Sequence, residues 1–296
     1  METVNYSGHE CCALENDTLK LLVTRSIGPR IISFGFRGGE NLFAELPDFV
    51  TKLPGGNVFH FYGGHRLWQA PEDLNSTYIP DDDPVEITSL ENGLFLKQAM
   101  QAQTGLQKTM QIHLAGETRV VITHRITNHG TSEVTCAPWA ITQFKTGGMA
   151  ILPQTLTDTG VLPNRLLALW SYTDLSNLNV KCGNSYILVH ANMQSPFKIG
   201  FPNPRGWLAY WLNGTLFVKH ADYDAQAQYY DFDSSSECYC NDQFLELETL
   251  APITSIAPQE TASHIETWDL YKDIDCPRDA NATSALVEKL KLELTP

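Results

Sequence analysis

Short apolar stretches separated by turn residues run through almost the whole chain. They fall at 19–24 (LKLLVT), 30–36 (RIISFGF), 94–100 (LFLKQAM), 107–114 and 118–126 (TRVVITHRI) in the first half. In the second half they fall at 185–191 (SYILVHA), 207–211 (WLAYW), 215–220 (TLFVKH), 243–250 (QFLELETL) and 263–270 (SHIETWDL). Most are rich in β-branched or aromatic residues, and Gly-Pro, Gly-Gly, Asn-Gly and Pro-Asn-Pro steps bound them, which is the signature of strands joined by turns. TRVVITHRI shows the period of two, with Val120 and Ile122 on its buried side. The tail TSALVEKLKLEL differs. Leu286, Leu290 and Leu294 recur every four residues, and Thr283 or Ser284 can cap the start, so a helix is predicted within 280–296. Many strands with almost no helices between them exclude a βαβ fold. The absence of a repeat period argues against a propeller. No linker divides residues 1–296, so the expectation is one all-β domain: a large antiparallel β-sandwich with a short C-terminal helix.

Composition narrows the partners. Apolar residues make up 43% of the 296 and charged residues 18%, enough for a large core. The 34 acidic residues against 20 basic ones give a net charge of −14, which repels nucleic acid and anionic membrane. The opening METVNYSGHE lacks the basic and apolar regions of a secretory signal. No apolar run approaches the ~20 residues of a transmembrane helix. Seven cysteines at irregular spacing, with Cys238 and Cys240 too close for a zinc knuckle, predict reduced thiols in a cytoplasmic protein. Asp81, Asp82 and Asp83 lie in a Pro-rich loop and read as solvated surface rather than an ion site. No metal and no cofactor is expected, and a monomer is favoured.

The catalytic motifs with fixed spacing are absent: there is no phosphate-cradling glycine loop, no G-x-S-x-G and no H-E-x-x-H. Chemistry must therefore come from side chains that strands bring together. In FLELETL, Glu246 and Glu248 share one strand face with Phe244 and Leu250, while Leu245, Leu247 and Thr249 point to the core. The next strand offers His264, Glu266 and Trp268 in the same period. An acid-rich face with a tryptophan and a histidine suits a sugar: carboxylates accept from hydroxyls and aromatic faces cover ring C–H groups. The plain alternative is a solvated strand pair. In GGHRLWQAPE (63–72) two glycines permit a sharp turn, and His65 and Arg66 alternate to opposite faces. Arg66 can fork onto hydroxyls or form a salt bridge with Glu72. Trp68 and Trp207 are the stacking candidates. Lys198 alternates with Phe197 and Ile199 and reads more readily as a snorkelling surface lysine than as a ligand. His124 and His190 read as satisfied strand histidines.

Leu247-Glu248-Thr249, the Ala251-Pro252 step, Ala257-Pro258-Gln259-Glu260 and the closing strand 263–271 together resemble the C-terminal part of the galactose mutarotase (aldose 1-epimerase) superfamily. NDTLKLLVTRSIGPRIISFGF is similar to its opening strands. GGHRLWQAPE, APWAITQF and PFKIGFPNPRGWLAY resemble a branch of mutarotase-like proteins, and the likeness spans roughly residues 13–271. The resemblance implies a mutarotase-like supersandwich, a small-molecule sugar or glycoside as ligand, Glu248 as general base and Arg66 as a sugar-binding arginine. It also implies a general-acid histidine on a central strand, but Trp139 stands near that place. The acid would then be His65 or His264. Three readings compete: epimerase chemistry, sugar binding without turnover, and lyase or hydrolase action through Glu246 and Glu248.

Overall fold

The structure is a computed structural model describing residues 3–294. Two antiparallel sheets of twelve and ten strands lie face to face. The centre of the larger sheet runs Arg30–Phe36, Val58–Ala70, Val134–Lys145, Phe244–Leu250, Ser236–Cys240, Phe197–Phe201. The centre of the smaller runs Trp207–Leu212, Thr215–Ala221, Thr261–Tyr271, Arg119–Asn128, Leu106–Leu114. Between them Phe34, Phe43, Phe144, Phe217 and Trp268 interlock with ring centroids 5.0–6.3 Å apart, the edge-to-face spacing that aromatic quadrupoles favour. Leu245, Leu247, Cys238 and Ile199 join this core from the larger sheet, so that sheet turns its other face away from the sandwich. No helix among the described residues is long and apolar enough to cross a membrane, and all seven cysteines are free thiols.

The helix Ala280–Leu290 closes the far side, continued by a short turn Leu292–Leu294. Its cap is Asp279, not Thr283 or Ser284: the Asp279 carboxylate accepts from the Ala282 N–H, and the Thr283 hydroxyl donates to the Asp279 carbonyl one turn in. Leu286 and Leu290 face the smaller sheet as their spacing predicts. The Leu294 side chain and residues 295–296 lie outside the described residues. The acidic loop also departs from expectation. Asp81 does not dissolve into solvent: it pairs at 2.7 Å with the fully buried guanidinium of Arg30, and only its neighbours Asp82 and Asp83 are exposed.

Gly63 and Gly64 place the Val58–Ala70 strand. Their φ values are +92° and +74°, and a Cβ would lie 1.9 Å from the Ala44 carbonyl oxygen at Gly63 and 2.2 Å from that of Ile31 at Gly64. Only glycine tolerates both the left-handed backbone and the close approach. The bend lets one long strand pair with Glu45–Lys52 before it and with Val134–Lys145 after it.

Candidate functional site

Cross-strand register builds the site. Arg66 stands opposite Ile141, which stands opposite Glu248, which stands opposite Glu237. One row along, Gly64, Gln143, Glu246, Tyr239 and Lys198 line up in the same way. On the other side Trp68, Trp139 and Leu250 form a third row. Residues directly opposite in an antiparallel pair share a face, so these rows form one patch on the face turned away from the smaller sheet. Above it lies a cavity of about 400 Å³. The Glu45–Lys52 hairpin strand walls one side with Phe49 and Val50, and Tyr78 and Tyr172 reach in from loops.

Two ion pairs floor this cavity. Arg66 Nη2 donates to Glu246 Oε1 at 3.2 Å, and Gln143 Nε2 donates to the same oxygen at 2.9 Å. The guanidinium carbon lies 4.3 Å from the centre of the Trp68 ring, a cation–π contact that helps hold it in place. Burial pushes the Glu246 carboxyl up to about 7, with Arg66 pulling it partly back and the nearby Glu248 pushing it further up. Arg66 forms a salt bridge, one of its two sequence readings, but with Glu246 rather than Glu72, which accepts from the Tyr78 hydroxyl instead.

Lys198 forms the second pair and is not a snorkelling surface lysine. Its ammonium is buried, 2.7 Å from Glu237 and 3.1 Å from Glu248, and sits between the rings of Trp139 and Trp170 at 4.8 and 4.7 Å. Burial pulls that ammonium down, but the two carboxylates outweigh it and hold it well above the usual lysine range. Burial pushes the Glu237 carboxyl well above the carboxylate range, only partly offset by Lys198. Glu248 accepts on one oxygen from both Lys198 Nζ and Trp139 Nε1, the latter at 2.8 Å, and is fully buried. Glu246 lines the cavity; Glu248 does not. Trp139, where the resemblance implies a histidine, thus serves as a hydrogen-bond donor to the glutamate.

The sequence placed His65, His264 and Glu266 toward the site, and the structure places them behind it. All three project into the space between the sheets, where alternation along the larger sheet turns His65, Thr142 and Thr249. His65 Nε2 lies 2.7 Å from His124 Nε2, and His65 Nδ1 lies 2.9 Å from the Thr142 hydroxyl. His264 Nε2 lies 2.7 Å from the Thr249 hydroxyl, which donates to Glu266. Trp268 Nε1 also donates to Glu266, and Lys219 Nζ pairs with it at 2.6 Å. The hydrogen bonds fix the protons. His124 Nδ1–H donates to the His264 carbonyl, so its Nε2 accepts from His65 Nε2–H. Burial lowers all three imidazoles, His124 to about 4 and His264 to about 3, and His65 well below its ordinary value.

His65, His124 and Glu266 offer three ligand atoms within 4.8 Å of one another. Two features argue against a cation there. Two nitrogens on one tetrahedral ion stand about 3.4 Å apart, whereas these two share a hydrogen bond, and Lys219 already supplies the charge beside Glu266. Trp207 is also no stacking residue. It is buried in the apolar cluster beneath the C-terminal helix, with the Arg205 guanidinium 5.3 Å from its ring.

The cavity therefore gathers Arg66, Trp68, Glu246 and Lys198 from the sequence candidates, with Glu248 beneath them. The aromatic wall, and Gln143, Glu237 and Trp170, which hold Glu246 and Lys198 without lining the cavity, are not readable from the sequence pattern. Gln143 and Tyr239 fall opposite Glu246 in register, a signal readable only once strand pairing is known.

No family model and no curated protein sequence matches this chain. Solved structures do. One is a candidate aldose 1-epimerase from Klebsiella pneumoniae, 10% identical over 97% of this chain and 84% of that one, with a TM-score of 0.63. Another is a galactose mutarotase-like protein from Lactobacillus casei, 8% identical over 88% and 100%, with a TM-score of 0.56. A candidate aldose 1-epimerase from Escherichia coli K12 is 13% identical over 88% and 99%, with a TM-score of 0.53. At these identities the likeness is one of architecture alone: the chain has the galactose mutarotase-like fold.

Proposed function

We propose that the cavity binds a carbohydrate, with a sugar ring set against Trp68 and its hydroxyls bonded by Glu246, Arg66 and Lys198. The observation that carries this reading is the floor itself: charged donors and acceptors fixed by their own ion pairs, beside indole rings, in a concave site of small-molecule size. The mutarotase-like fold supports it. The burial of Glu248 under Lys198 and Trp139 favours recognition without acid–base turnover, because a general base must reach the proton it takes.

Epimerase chemistry is the second reading, and Glu246 is what favours it. It is the carboxyl of the pair that lines the cavity, and a group near 7 can both give and take a proton at neutral pH. Polarimetry on freshly dissolved α-glucose and α-galactose separates the two. Recognition alone gives the buffer rate for every aldose. Turnover gives acceleration, and Glu246→Gln then cuts it by about 10²–10⁴-fold. A larger loss in Glu248→Gln than in Glu246→Gln would return the base to Glu248.

A further inference from the structure

The floor of the cavity is polar but its rim is not. Phe49, Phe61, Phe244, Tyr239 and Tyr172 line one side as a connected belt, with centroid spacings of 5.2 Å (Phe49–Phe61), 5.4 Å (Phe49–Phe244), 5.7 Å (Tyr239–Phe244) and 6.5 Å (Tyr172–Tyr239). Phe49, Phe61 and Tyr239 are only half-buried and Tyr172 is exposed. Phe244 shares its strand face with Glu246, two residues or about 7 Å away, so the belt begins where the polar floor ends. A free hexose carries hydroxyls around its whole edge. Any hydroxyl pressed against this belt gives up water without gaining a partner, which costs free energy. An apolar substituent there gains by leaving water. Two cations, Arg66 and Lys198, face three carboxyls, of which burial pushes Glu237 toward its protonated form, so no cation is left over to call for an anionic ligand.

We infer that the cavity is built for a neutral glycoside with an aromatic aglycone: the sugar meets Arg66, Glu246 and Lys198, and the aglycone lies among the rings of the belt. This rests on the carbohydrate reading above and adds the part of the ligand that the sugar reading leaves open. Aromatic rings prefer offset or edge-on partners at the spacings this belt keeps, so a planar aglycone gains more here than a methyl group can.

Isothermal titration calorimetry tests it with glucose, galactose and mannose, their methyl glycosides and their phenyl glycosides, in both anomers. For the preferred sugar, the phenyl glycoside is expected to bind at least tenfold more tightly than the methyl glycoside. In Phe49→Ala, whose half-buried ring sits on an outer hairpin, that ratio is expected to fall at least threefold, with circular dichroism checking that the fold survives. Equal affinities for methyl and phenyl glycosides would overturn the aglycone site while leaving sugar recognition standing. Phenol binding as tightly as the phenyl glycosides, with no preference among sugars, would overturn sugar recognition instead. If none of these ligands binds, both are overturned.

Discussion

Lys198 holds the floor of the site together, and Lys198→Met measures how firmly. The substitution keeps the unbranched chain but removes the charge, leaving Glu237 and Glu248 opposite each other on adjacent buried strands with no cation between them. Removing one partner of a buried ion pair costs about 3–5 kcal/mol, because the remaining charge is stranded. The loss of cation–π contacts to Trp139 and Trp170 adds to this. Proton uptake limits it, since a stranded carboxyl neutralises rather than stay charged. The expected loss is therefore about 3–4 kcal/mol at pH 7.5, read by urea denaturation followed by tryptophan fluorescence. The sign of its pH dependence follows. Lys198 lowers the buried Glu237 carboxyl, so without it that carboxyl binds its proton more tightly in the native state than in the wild type, and the stability difference closes as pH falls toward the unfolded value near 4.5. The deficit should shrink by roughly 1 kcal/mol or more at pH 5.5. Adding Glu237→Gln should recover part of the loss at pH 7.5, as a coupled pair requires. A deficit under about 1 kcal/mol, equal at both pH values, would refute the picture of a buried lysine clamping two carboxyls.

Other consequences are as specific. Because His65, His124 and His264 are buried as neutral rings, their ¹⁵N shifts should stay those of neutral imidazole from pH 7.5 to 5.5, with the proton of His124 on Nδ1; titration near 6.5 would contradict the network. Gly64→Ala should leave little folded protein, because its Cβ would meet the Ile31 carbonyl oxygen at 2.2 Å with φ at +74°. Gly38→Ala, also at positive φ but with open space around its Cβ, should cost only about 1 kcal/mol by denaturant melt.

The strands legible in the sequence are those with one face in the core and the other less covered. TRVVITHRI alternates because its outer residues Arg119, Val121, Thr123 and Arg125 are only partly buried. Of the strands that build the site, Phe244–Leu250 is legible and its neighbours are not. Val134–Lys145 and Phe197–Phe201 are covered on both faces, by the second sheet behind and by the site in front, so burial does not alternate along them even where Lys198 falls between Phe197 and Ile199. Pro138 and the pair Gly63–Gly64 read as breaks although they lie within strands. Strand alternation did place Glu246 and Glu248 on one face and Arg66 opposite His65. It could not say which sheet His264 and Glu266 belong to. Their shared period with FLELETL suggested one surface, but they lie on the facing sheet and look inward. Buried charge was likewise invisible, because Lys198 pairs with residues 39 and 50 positions away.

Sugar recognition, as proposed, rests on the aromatic cavity floored by Arg66, Glu246 and Lys198. Saturation-transfer difference NMR with a panel of hexoses and methyl glycosides addresses it directly. Transfer is expected to the C–H protons of one sugar face for a subset of the panel, through contact with Trp68, and Trp68→Leu should abolish it. Transfer to none of the sugars, or transfer that Trp68→Leu leaves unchanged, would contradict it.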